Sequence, residues 1–140
     1  MAALSIKTAA VAYLSTGIAF AVIDSIWLTT MANRLYRPVM GDMLADQFRL
    51  GPAVAFYLIF IAALVFFAIR PALEAGDWKV ALLHGAFFGF AAYATYDLTS
   101  QSVLRNWSTL LTVADLFWGT VLSASSAVIG YKVTRMLTGV

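Results

Sequence analysis

Three aspartates stand inside otherwise apolar stretches of the chain: Asp24, Asp97 and Asp115. Two recur in one four-residue form, Asp-x-x-Trp, as Asp24/Trp27 and Asp115/Trp118, and the third closes the run Tyr93-Ala-Thr-Tyr96-Asp97. A carboxylate in hydrocarbon costs roughly 2.5–3.5 kcal/mol on insertion scales, so residues of this kind persist where something uses or neutralises them. Brought together, three such groups would repel, and four arrangements relieve the repulsion. One carboxyl can keep a proton, because like charges in a dry site resist ionising together. An arginine can pair with one of them, and Arg34, Arg37 and Arg105 are the candidates. A hard cation can bind, since carboxylate, carbonyl and hydroxyl oxygens suit sodium, magnesium or calcium. A cationic ligand can sit against aromatic faces, for which Trp27, Trp118, Tyr57, Tyr93 and Tyr96 are available. The alternative without chemistry is that each aspartate only bonds a neighbouring helix, at about 0.6 kcal/mol on average, while the aromatic rings anchor at a membrane interface.

The elements that must position these groups follow from composition. Of 140 residues, 62% are hydrophobic and 11% charged. A soluble domain carries about 25% charged residues, so the chain reads as an integral membrane protein, and its length suits a single domain over residues 1–140. The absence of cysteine excludes disulfides, thiolate metal sites and cysteine catalysis. With one histidine, His84, a histidine-rich metal centre is excluded as well. The net charge of +2 is small and scattered, which argues against a nucleic-acid partner.

A helix needs about 20 apolar residues to cross the hydrocarbon. Four segments fit, at about residues 8–31, 52–69, 79–102 and 109–131. The second is expected to stop at Arg70-Pro71, since proline cannot continue a helix, and Ser108-Thr109 supplies an N-cap for the fourth. Lys7 and Ala19-Phe20-Ala21 imitate a cleavable signal, but the apolar run continues to Met31, which favours a retained first helix. The expected fold is therefore all-α integral membrane, a four-transmembrane-helix bundle. Between the first two spans, Pro38 can start a helix, and Met40, Met43, Leu44 and Phe48 form one apolar stripe. A short interfacial helix over Pro38–Arg49 is expected there. Lys7, Arg70, Lys79, Lys132 and Arg135 fall on the side of the termini and Arg34, Arg37, Arg49 and Arg105 on the other. That balance favours cytoplasmic termini under the positive-inside rule.

Depth comes from the helical rise of about 1.5 Å per residue. Counted from the expected span ends, Asp24, Asp97 and Asp115 each lie roughly 8–10 Å inside. Alternating span direction puts all three on the side opposite the termini, at one level. Trp27 and Trp118 share the faces of their aspartates at i+3, Tyr93 that of Asp97 at i−4, and Tyr57 enters at a similar level. Gly85-x-x-x-Gly89 and Gly119-x-x-x-Ser123-x-x-x-Ala127 let two helices approach closely, and Gly17-x-x-x-Ala21 marks a similar surface. His84 lies far from the aspartates and reads as a packing or interfacial histidine.

Several segments also resemble a known family: Asp24-Ser-Ile-Trp27-Leu28, the Tyr36 segment, Phe56-Tyr57-Leu58, Phe67-Ala-Ile-Arg70-Pro71, Gly85-Ala-Phe-Phe-Gly89, Tyr93-Ala-Thr-Tyr96-Asp97-Leu98-Thr99, Trp107 and Asp115-Leu-Phe-Trp118-Gly119. Together they resemble the small bacterial membrane proteins grouped as domain of unknown function 2177, over nearly the whole length. Ser100-Gln101 departs from the pattern, where asparagine is expected after Tyr-Asp-Leu-Thr. The resemblance implies a four-helix protein of the bacterial inner membrane and supplies no activity or cofactor. The first functional expectation is binding or transport of a proton, metal cation or small cationic ligand, with the bilayer as surroundings and a homo-oligomer implied by the short chain. The alternatives are an accessory subunit whose aspartates pair with a partner membrane protein, and an embedded enzyme acting on lipid. In the enzyme, Asp97 or Asp115 would be the acid or base and Tyr96 a donor.

Overall fold

Four long helices run through residues 4–140, the part of the chain that the computed structural model describes. They are α1, Ile6–Met43; α2, Leu50–Ala75; α3, Trp78–Val103; and α4, Thr109–Thr138. Three of them begin on a side-chain cap, which satisfies amide groups left without a helical partner. Ser5 accepts from the Thr8 amide at 3.1 Å, Asp77 from Lys79 at 2.9 Å and Ser108 from Leu110 at 3.1 Å. Gly76 ends α2 with φ of +67°, a left-handed conformation that glycine adopts without a Cβ penalty. By length and composition α1, α2 and α4 can each cross a membrane. α3 has the length but falls short of the other three in the apolar composition of its best stretch.

Two boundaries differ from expectation, and both concern proline. α2 does not stop at Arg70-Pro71. It passes through a π-helical turn at Val65–Ile69 and resumes as Arg70–Ala75, with the Arg70 amide bonded to the Val65 carbonyl. Pro71 has no amide to offer the Phe67 carbonyl, and His84 Nδ1 of α3 donates to that oxygen instead, at 3.1 Å. The wider turn and the histidine re-satisfy the backbone, which is how membrane helices tolerate proline. α1 repeats the device before Arg37-Pro38: a π-helical turn at Ala32–Tyr36, then Arg37–Met40, then a 3₁₀ turn at Gly41–Met43. The separate helix expected over Pro38–Arg49 is thus not formed. Its first half extends α1, and no regular helix covers Leu44–Arg49.

α4 is the central helix, with its most extensive contacts to α3 and the next to α1. The packing follows rows of residues four apart, the ridges of helix surfaces. α1 buries Thr8, Ala12, Thr16, Phe20 and Asp24. α3 buries Ala81, Gly85 and Gly89, then Asp97 two steps on. α4 buries Asp115, Gly119, Ser123, Ala127 and Tyr131. The glycines of α3 and α4 are needed where they stand. A Cβ on Gly85 would lie 2.8 Å from that of Ala127, and one on Gly89 would collide with the Gly119 carbonyl and the Ser123 side chain. Tyr93 lies on Gly119 in the same way. The α3–α4 pairing expected from the small residues is therefore present. Gly17 does not mark a tight approach, for a Cβ there would make ordinary contact with Ile61. The close point of α1 on α4 is Thr16 against Gly130.

Candidate functional site

Each buried ridge ends in an aspartate at the same end of the bundle. Exposure is 7% at Asp24, 0% at Asp97 and 8% at Asp115. Because α1 and α4 run in opposite directions, their Asp-x-x-Trp motifs lie head to tail. The indoles of Trp27 and Trp118 stack with centroids 4.4 Å apart and planes 7° from parallel. Each tryptophan then serves the other motif's aspartate. Trp118 Nε1 donates to Asp24 Oδ1 at 3.1 Å. Trp27 Nε1 donates to the Tyr36 hydroxyl at 2.9 Å, and that hydroxyl donates to Asp115 Oδ1 at 2.8 Å. The Tyr57 hydroxyl of α2 fills Asp24 Oδ2.

Asp97 belongs with Asp115. Both side chains line one cavity, and neither oxygen of Asp97 has a hydrogen-bond partner among the described residues. Two carboxyls that share a dry site are stable when a proton or another cation neutralises one of them. The pair opens on a cavity of about 340 Å³ lined by Phe56, Ala92, Tyr93, Tyr96, Asp97 and Asp115. Above it, the α3–α4 turn is tied down by Gln101, Trp107 and Thr112. Trp107 Nε1 donates to Thr112 Oγ1 at 2.9 Å, and Thr112 donates to Gln101 Oε1 at 2.7 Å. The Trp107 ring meets Tyr96 at 5.5 Å.

The three aspartates therefore gather at one end of the bundle but divide into two environments. Asp24 is closed by Tyr57 and Trp118; Asp97 and Asp115 form a pair on a cavity. Tyr93 and Tyr96 line that cavity, whereas Tyr57, Trp27 and Trp118 belong to the bonded network beside it. Among the described residues, no group of three or more acidic, histidine or cysteine side chains is arranged to hold a metal ion. Arg34, Arg37 and Arg105 are exposed, and among the described residues none pairs with an aspartate. Sequence reasoning left Tyr36, and the cavity-lining Phe56 and Ala92, out of the site. The signal for Tyr36 was the Arg37-Pro38 step, which the π-helical turn carrying Tyr36 precedes.

Fold and site together define an all-helical membrane protein with a buried acidic and aromatic network. The family described as "Predicted membrane protein (DUF2177)" matches residues 9–132, and the chain belongs to it. No curated protein and no solved structure matches the chain.

Proposed function

We propose that this is a single-domain protein of the bacterial inner membrane, spanning it four times with cytoplasmic termini. In this reading the Asp97–Asp115 pair binds and exchanges a cation, either a proton or a small cationic ligand. One observation carries it: Asp97 is fully buried, both of its oxygens lack a donor, and it lines a cavity. Buried polar groups nearly always have partners, and of the described buried side chains without one Asp97 is the carboxyl, the group that a cation suits. The bonded network supports the reading. Tyr57 and Trp118 hold Asp24, and Tyr36 holds one oxygen of Asp115, so the framework stays fixed while the pair changes occupant. α3 would cross the membrane despite its polar residues because its ridge is buried on α4.

The test is cation-linked proton release. Purified protein in lightly buffered detergent is titrated with sodium, methylammonium or tetramethylammonium while pH is recorded. The unmodified chain is expected to release up to one proton per site with at least one of these cations, and Asp97→Asn none. Absence of release with every cation, together with absence of proton movement in proteoliposomes, would sink the proposal.

A further inference from the structure

Resting on that reading of the acid pair, we propose that its ligand is a protonated primary amine on a hydrocarbon tail, admitted sideways from the bilayer between α2 and α3. The first ground is the donor count. Asp24 has a donor on each oxygen and Asp115 has Tyr36 on one, whereas Asp97 has none on either. A primary ammonium brings three N–H donors on one charged centre; a quaternary ammonium brings none. A hard metal ion wants about six or more oxygens, and among the described residues no group of three or more acidic, histidine or cysteine side chains is assembled to begin such a shell.

The second ground is the wall. Apart from the two acids, the cavity presents Phe56, Ala92, Tyr93 and Tyr96. Those rings can face a cation and can cover methylene groups, but they replace little of the water that a strongly hydrated ion gives up. A volume of about 340 Å³ lies within the usual range of small-ligand pockets, which leaves room for a head group and the first carbons of a tail.

The third ground is the opening. The Leu50–Leu64 part of α2 leans on α1, and α2 meets the α3 backbone chiefly through the Val65–Ile69 turn and the residues after it. Toward the aspartates the two helices therefore diverge. Phe56 and Tyr96 flank the gap at 43% and 55% exposure, on the apolar perimeter of the bundle. A tail can lie in that gap and continue into lipid while the ammonium reaches Asp97.

Native mass spectrometry from neutral detergent micelles, with octylamine, methylamine, sodium and octanol as probes, tests this. One octylamine per chain is expected, bound at least about tenfold more tightly than methylamine, the gain from burying two or so methylenes. Octanol should not be retained. Asp97→Asn should lose the octylamine by removing the negative charge and placing an N–H2 donor where the ammonium would sit, and Ala92→Trp should lose it by filling the cavity with both aspartates intact. Circular dichroism confirms that each variant keeps its helices. Methylamine or sodium bound as tightly as octylamine, and lost in Asp97→Asn, would overturn the lateral amine and leave the acid-pair reading standing. Octylamine retained equally by both variants would overturn the proposal too. If no cation binds in an Asp97-dependent way, the proposal and the reading beneath it both fall.

Discussion

At Asp24 both carboxylate oxygens accept hydrogen bonds, from Tyr57 and Trp118, while at Asp97 neither does. The difference assigns them different work. Removing a donor from a satisfied carboxylate leaves a buried charge short of a partner, at about 1–3 kcal/mol. Tyr36→Phe should therefore destabilise the protein by about that amount, because it removes the donor to Asp115 and the acceptor for Trp27 together. Reversible unfolding in mixed micelles measures it. Asp97→Asn should behave in the opposite way. Its amide would offer a donor to Asp115 and remove the need for a proton or cation at the pair, so stability should stay level or rise even as cation-linked proton release disappears.

At the scale of the element, the two Arg-Pro steps are handled alike, each by a π-helical turn ending two residues before the proline. Turns of this kind often sit near functional sites, and the one in α1 places Tyr36. The turn in α2 instead hands the Phe67 carbonyl to His84, which gives that histidine a structural role. His84→Leu should cost about 1 kcal/mol by stranding the carbonyl. In a Pro71→Ala background the restored amide can take the same oxygen, so the cost should shrink to a few tenths of a kcal/mol. A double-mutant cycle reads the coupling, and additive effects would show that Phe67 is satisfied some other way.

Across the whole molecule, the aspartates meet because α4 accepts α3 on one face and α1 on another, through residues too small to hold the helices apart. Lipid supplies little hydrophobic drive for helices to associate, so close packing must do it. Gly130 is where α1, α2 and α4 come together, and a Cβ there would collide with Thr16 Oγ1 and approach Ile69 Cδ1 to 2.8 Å. Gly130→Val should cost about 1–3 kcal/mol and loosen the Trp27–Trp118 stack at the far end. Thermal unfolding followed by near-ultraviolet circular dichroism of the tryptophans reads both effects.

The sequence by itself determined the class, the long apolar helical runs though not their proline boundaries, and the end of the bundle where the acids gather. Apolar runs of membrane length, the last with its cap at Ser108, leave few alternatives, and the two Asp-x-x-Trp pieces and Tyr96-Asp97 already fall near the ends of those runs. It also carried the α3–α4 contact, since Gly85 and Gly89 face Ser123 and Ala127 only if those helices pair. What the tertiary structure decided was partnership. A motif repeated on antiparallel helices stacks the two tryptophans, puts Trp118 on Asp24 and links Trp27 to Asp115 through Tyr36, and periodicity along one helix cannot show that. The same holds for Tyr36, brought back by a turn that depends on a proline two residues later, and for the division of three similar carboxylates into one that is closed and two that share a cavity. Those outcomes depend on which donors arrive from other helices, and only the packed bundle brings them there.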